Sequence, residues 1–502
     1  MPNEEKPTER SLNSHMFSGS VWMIGLRWTI RLTGVVSTII LARLLTPADF
    51  GIVAMAMLVV GMLEILNQTG QKLAIIRHAS PTREHYDTAW TISVITGLVI
   101  GTTIFAIAPL TSVYFHEPRA VPVMQCLALR SVIGGFENIG TTNFRRDLKF
   151  DKFFLYNMYP KMFSFIVTVG LAILWRNYWA LVAGILCSQL SMNAISYLMH
   201  SYRPRFSLAK IGELWTFSGW TLFRTIGNFL NFQIDQLVVG GMFGASAMGR
   251  YAVAEDIASS PSEEINEPMV AVLYPVMAKV LGDKERLRQL YLRVLCWSAI
   301  ICTSAGVGVT LVAHDMVLLV LGSKWSNVEP LMGWLALAAA LLGLSSGAYT
   351  AFDAIGKPHL GARMQWVRLS FLVASIVPVA FLVGNMEAIA ITRLVVTAIF
   401  MPTLFFAVGR EIDVSAADYL RVLWRPFLAA AVMAALTVTA NLNMAPGNLR
   451  LLFDVLLGAT SYSGTLLALW ALSGSPDAPE KDVASFLKQL ALSATAKLRA
   501  TS

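Results

Sequence analysis

Arg27, Arg31, Gly34 and Thr38 follow one another at steps of four, three and four inside an otherwise apolar stretch. That spacing sets all four on one face of a helix. Thr221, Arg224, Asn228, Asn231 and Asp235 repeat the arrangement at steps of three, four, three and four. Two further sets lie in the stretches that come next: Glu64 with Asn67, Gln68 and Gln71, and Glu255 with Ser259, Ser262 and Asn266. A guanidinium presents a fork of donors that matches phosphate or carboxylate oxygens. Side-chain amides donate to and accept from hydroxyls. Carboxylates such as Glu64, Asp235 and Glu255 can take up and release a proton or cation, and are the candidates for ion coupling. The competing reading pairs these charges to hold helices together, Arg224 with a carboxylate of the following stretch for instance. Pairing alone does not require four full-length stripes, and Arg27 and Arg31 share no span with a carboxylate. The set therefore reads as the lining of a hydrated cavity.

Other ionisable residues carry less. Arg130 and Glu137, seven apart, read as one paired helix face, and Lys161 sits where snorkelling reaches the interface. Arg393 and Asp353 have no partner legible in the sequence. The run Arg145-Arg146-Asp147-Leu148-Lys149 with Lys152 is a basic loop suited to anionic lipid headgroups. No Walker A lysine motif, HExxH, GxSxG or metal-spaced Cys/His cluster occurs. Cys126, Cys187, Cys296 and Cys302 fall in apolar runs at unrelated spacings, which is no disulfide or zinc pattern. Neither cofactor nor metal is expected. Without an ATP site, any transport would draw on ion gradients, membrane potential or substrate supply.

Such residues need elements that hold them inside a membrane. The chain has 502 residues, 55% hydrophobic and 14% charged, with mean hydropathy +0.59. Soluble domains carry about 25% charged residues, so most soluble enzymes and nucleic-acid binders are excluded. Fourteen apolar stretches approach the ~20 residues that cross a bilayer. They lie near 17–42, 50–70, 87–109, 121–140, 154–174, 178–199, 216–241, 248–275, 294–313, 328–352, 364–384, 387–408, 424–442 and 450–472. The eighth is interrupted by Glu255, Asp256, Glu263, Glu264 and Glu267. The net charge of +8 speaks first to topology. With a cytoplasmic N-terminus, Lys and Arg crowd the cytoplasmic loops, and the opposite side holds Arg43, Arg119, Arg176, Lys324 and Arg450. Both termini are then cytoplasmic.

The expected fold is all-α and polytopic, with two pseudo-symmetric six-helix lobes and two C-terminal helices. A tail (1–16) precedes an N-lobe (17–199), a cytoplasmic linker (200–215), a C-lobe (216–408), a final helix pair (424–472) and a cytoplasmic tail (473–502). Every loop is short, so no external domain houses an active site. The junctions LARLLTPADFGIVAMA (Leu41–Ala56) and VGGMFGASAMGRYAVA (Val239–Ala254) align at an offset of 198, with Gly51 on Gly249, Ala54 on Ala252 and Ala56 on Ala254. Six spans separate them, so the copies share one orientation, as parallel transporter repeats do.

ILARLLTPADFGIVAMAM (Ile40–Met57) resembles the signature after the first span of oligosaccharide flippases of the polysaccharide transporter family. That family belongs with the multidrug and toxin extrusion exporters and the lipid II flippase. FRRDLKF (Phe144–Phe150), DQLVVGGMFGASAMGRYAVAEDIASSP (Asp235–Pro261) and LYPVMAKV (Leu273–Val280) are similar to its later segments. The resemblance implies alternating access that moves an undecaprenyl-pyrophosphate-linked repeat unit to the outer leaflet of a bacterial inner membrane, for exopolysaccharide or lipopolysaccharide synthesis. Arg27, Arg31 and Arg224 would then attract the pyrophosphate, while Asn228, Asn231, Asn67 and Gln68 bind sugar hydroxyls. Implied partners are the lipid-linked oligosaccharide, membrane lipids, and polymerase and export machinery, with no nucleic acid. The acid-rich eighth span departs from the family pattern. Competing expectations are a drug or cation exporter on the same fold, a membrane polymerase or glycosyltransferase, and a scaffold of an export complex.

Overall fold

The structure is a computed structural model describing residues 9–65, 75–76, 78, 80–214, 219–442, 444, 446–474 and 479–481. Long apolar runs without water must satisfy their backbone groups internally, and here they do so entirely as helix; no strand occurs among the described residues. Thirteen long helices result among the described residues. They are α1 (Glu9–Leu44), α2 (Pro47–Glu64), α3 (Arg83–Phe115), α4 (Ala120–Gly135), α5 (Phe150–Trp175), α6 (Trp179–Met199) and α7 (Gly219–Lys279). Then follow α8 (Lys284–Met316), α9 (Glu329–Ala354), α10 (Pro358–Val383), α11 (Met386–Ile412), α12 (Ala416–Asn441) and α13 (Asn448–Leu472). Gly244, at φ 77° and ψ −176°, breaks α7 into two arms, a backbone state that glycine alone adopts freely. That division brings the rods to the expected fourteen. Eleven of the helices are long and apolar enough to cross a membrane, and α4 is a shorter apolar helix. Leu98, Val99 and Phe105 of α3, Phe381 and Leu382 of α10, and Ile399 and Phe406 of α11 are exposed. Apolar surface on this scale is what lipid solvates. The protein is a multi-pass, all-α membrane protein.

The chain divides into two compact units, Met1–Ala252 and Val253–Ser502, so the boundary falls in the second arm of α7. In the first unit α3 packs on α4, α5 on α6 and on α1, and α2 on α4. Its core gathers Ile52, Met55, Ile104, Met124 and Leu127. In the second, α8 packs on α9 and α12, α9 on α11, and α12 on α13. Its core holds Leu273, Met277, Tyr291, Leu344 and Phe352.

The signature stretch has a local structural reason. Thr46 caps α2: Asp49 Oδ2 accepts from the Thr46 amide at 2.9 Å and from its hydroxyl at 2.6 Å. Pro47 occupies the first turn, where its missing N–H costs nothing. Asp49 Oδ1 also accepts the Tyr178 amide at the start of α6, at 3.2 Å. One turn on, Gly51 meets Gly249, the residue that the internal repeat aligns with it. A Cβ on Gly51 would lie 1.7 Å from the carbonyl oxygen of Ala245, and one on Gly249 would lie 1.8 Å from that of Pro47. Each glycine thus rests on the carbonyl one turn before its counterpart.

The stretch expected as a linker lies along α3. Asp87 accepts from the Tyr202 hydroxyl and from the Arg205 amide, the latter at 3.0 Å. Thr91 and Thr88 accept the amides of Ser207 and Lys210, at 3.0 and 3.2 Å. Glu213 bonds His85 at 3.0 Å and Lys210 at 2.7 Å. Burial and the Asp87 carboxylate push the Tyr202 phenol well above its usual range. The Lys210 hydrogen bond, then that of His85, holds the Glu213 carboxyl down at about 2.

Candidate functional site

On α1, Arg27 and Arg31 are half-buried, one turn apart as their spacing requires. The helix packs on α5, where Trp22 lies 5.2 Å from Phe154, ring to ring, and Thr33 reaches the Met162 sulfur at 3.6 Å. On the first arm of α7, Arg224 is half-buried, Asn228 is exposed and Asn231 is buried, its amide donating to the Gly227 carbonyl at 2.8 Å. α1 and the first arm of α7 both belong to the first unit. Asn67 and Gln68, with Gln71, lie outside the described residues.

The three carboxylates each have a defined polar partner. Glu64, the last residue of α2, accepts from Arg130 Nη1 at 2.9 Å and from the Ser131 hydroxyl at 3.0 Å. Asp235 is 1% exposed and accepts the Tyr251 hydroxyl at 2.6 Å, from the other arm of α7. Glu255, in the second unit, lies 2.5 Å from Arg393 Nη1. The expected Arg130–Glu137 face is corrected: Arg130 turns to Glu64, and Glu137 accepts from Tyr156 at 2.6 Å. Helix periodicity sees partners within a helix and is blind to a better-placed one on its neighbour.

No member of the fourth stripe, Glu255, Ser259, Ser262 and Asn266, is exposed. Asn266 faces α9, donating to the Gly343 carbonyl at 2.9 Å and the Ser346 hydroxyl at 3.0 Å, and Ser262 is buried. Asp256, Glu263 and Glu267 are exposed, at steps of seven and four along one face. The second arm of α7 is thus amphipathic, with structural amides on one side and acids on the other.

Sequence reasoning missed several buried polar groups. Arg368 of α10 donates to the Thr397 hydroxyl at 3.3 Å and is 5% exposed. Glu480, in the tail after α13, is fully buried against Arg425 of α12 at 3.1 Å, within reach of the Cys296 thiol. Asp315, Arg450 and Asp454 form a third cluster. Arg393 carried a signal, an arginine inside a span; Glu480 carried none among many tail charges.

Arg393 and Glu255 are 6% and 14% exposed along their side chains. Removing one member of a buried pair leaves the other charge uncompensated, at a cost of about 3–5 kcal/mol. Arg393→Ala is expected to lower the unfolding midpoint of the detergent-solubilised protein, and adding Glu255→Gln to recover part of that loss. Independent, additive effects would show that the pair does not hold the unit together.

Long apolar helices organised in two units define a polytopic all-α membrane protein. The chain belongs to the polysaccharide biosynthesis protein family, whose sequence profile matches residues 40–330. It is 23% identical over 428 residues to the lipopolysaccharide biosynthesis protein WzxC of Escherichia coli K12, covering 83% of this chain and 86% of that one. It is 26% identical over 399 residues to the succinoglycan biosynthesis transport protein ExoT of Rhizobium meliloti 1021, covering 79% and 80%. Its fold is similar to that of a solved structure of the lipid II flippase MurJ, itself in an inward closed conformation, with TM-score 0.72 at 12% identity over 91% of this chain and 99% of that one.

Proposed function

We propose that the protein is a transporter, not an enzyme, that moves an undecaprenyl-pyrophosphate-linked oligosaccharide from the cytoplasmic to the periplasmic leaflet by alternating access. The observation that carries this reading is the set of guanidinium and amide groups on two helices of the first unit: Arg27 and Arg31 on α1, with Arg224, Asn228 and Asn231 on the first arm of α7. Its family, and the printed names of WzxC and ExoT, support polysaccharide assembly as the setting. In this reading Arg27, Arg31 and Arg224 attract the pyrophosphate, and Asn228, Asn231, Asn67 and Gln68 bond sugar hydroxyls. Glu64, Asp235 and Glu255 serve ion coupling, each exchanging its present partner for an ion. We place the protein in a bacterial inner membrane with both termini cytoplasmic, a topology supported by the Lys and Arg bias of the loops. Polymerase and export machinery would then take the product on the periplasmic side.

The test is the sidedness of lipid-linked oligosaccharide in cells depleted of the protein. Spheroplasts are probed with an impermeant sugar-labelling reagent before and after permeabilisation. Repeat units that become accessible only after permeabilisation support translocation; units accessible from outside while polymer is lost refute it. The exposed acids Asp256, Glu263 and Glu267 favour a second reading, export of a cation. Efflux of a fluorescent cation that depends on this protein would select it.

A further inference from the structure

We propose that Asp454, Asn441 and Thr437 form a binding site for a hard monovalent cation where α12 ends and α13 begins. Asp454 is 2% exposed and Thr437 fully buried. Asn441 donates to Asp454 Oδ2 at 2.9 Å, and Thr437 lies one turn before Asn441 on the same face of α12. Three oxygens of this group have no hydrogen-bond partner: Asp454 Oδ1, Asn441 Oδ1 and Thr437 Oγ1. Buried polar atoms are nearly always satisfied, so three orphans on a bonded pair and the turn before it point to a missing ligand.

Charge bookkeeping agrees. Arg450 Nε lies 3.2 Å from Asp315 Oδ2 and 3.7 Å from Asp454 Oδ2, so one guanidinium serves two buried carboxylates. Asp315 spends its other oxygen on the Gly447 amide, at 3.1 Å. His314, next to it, is engaged by Glu329 at 2.7 Å. One negative charge is left over, in surroundings where an uncompensated carboxylate is costly. A proton on Asp454 would cancel the charge but leave the other two oxygens orphaned. A cation answers all three. α12 ends at Asn441, and the negative end of its dipole favours positive charge there. Oxygen donors select hard cations, and a single surplus charge fits a monovalent ion better than calcium, which gathers several carboxylates.

A cavity borders the site at Asp454. Asp454 lines a cavity of about 430 Å3 between α8, α12 and α13, together with Ser304, Val309, Met433, Gly458 and Tyr462. Tyr462 is held back by its own bonds to the Ile300 carbonyl and the Thr303 hydroxyl, at 2.9 and 3.1 Å. Asp454 is thus the acid among the residues that line this cavity. This site depends on no particular cargo and stands or falls apart from the flippase reading.

The test is equilibrium binding of radioactive sodium to the purified full-length protein in detergent, at neutral and alkaline pH, with potassium and lithium as competitors. Wild type is expected to bind one ion saturably, with the competitors ranking the site. Asp454→Asn should abolish binding. Thr437→Val, which keeps every charge and the shape of α12, should weaken it about tenfold. Should Asp454→Asn fail to fold, Thr437→Val carries the test alone. Absence of saturable binding by wild type, of sodium and of labelled potassium alike, overturns the proposal, and so does binding unchanged in the variants.

Discussion

Replacing Arg27 and Arg31 together by Ala is expected to abolish polymer export while the protein still accumulates in the membrane. Both side chains are half-buried on α1, in a stretch that offers no carboxylate of its own. A hydrogen bond to a charged group contributes about 1.5–3 kcal/mol. Two such contacts with a pyrophosphate are therefore worth roughly 3–6 kcal/mol, a hundredfold to ten-thousandfold in affinity. Arg27→Lys with Arg31→Lys keeps the charge and loses the planar fork, so it should retain intermediate activity. Polymer yield and the amount of protein in the membrane fraction are the two readouts. Normal export in the double Ala variant would sink the anion site; loss of the protein itself would assign the arginines to folding.

The spans were legible because crossing hydrocarbon demands about 20 apolar residues each, and no tertiary contact can override that demand. The capped start of α2 was legible too, since Thr46, Pro47 and Asp49 act over one turn. Partners between helices were not. Arg130 and Glu64 are 66 positions apart, and nothing in either helix marks the other. The polar stripes showed which faces are hydrophilic but not which are solvated: Asn266 and Ser262 of the fourth stripe turn into packing, while Asp256 and Glu263, which lie off that stripe, are exposed. Residues 200–210 looked like a linker because they are polar and lack periodicity. Their order comes from Asp87, Thr88 and Thr91 on a helix more than a hundred positions earlier. Asp454 is a lone acid near the end of an apolar run. Its significance depends on Asp315 and Asn441 being brought beside it.

Replacing Gly51 or Gly249 by Val is expected to separate α2 from the second arm of α7. The added carbon would fall 1.7 or 1.8 Å from a backbone carbonyl oxygen, and no side-chain rotation relieves such an overlap. Overpacking usually costs about 1–3 kcal/mol, and a clash against backbone belongs at or above the top of that range. Ala carries the same Cβ, so Gly51→Ala and Gly249→Ala should already be harmful. Gly170 on α5 supplies the contrast, since a Cβ there meets nothing within 4 Å. Gly170→Ala should be neutral or stabilising, by up to about 1 kcal/mol from helix propensity. Unfolding midpoints of the solubilised proteins separate the cases by sign. In the transport reading, a contact between the two aligned junctions is a natural point of closure, because each copy supplies the same small residue at the same turn. A bulky side chain there should therefore cost export more than stability, and raise the reactivity of a cysteine placed at Ala48 toward an impermeant thiol reagent. Variants that keep wild-type stability, export and reactivity would show that the two helices can part without consequence, and that the close approach is incidental to function.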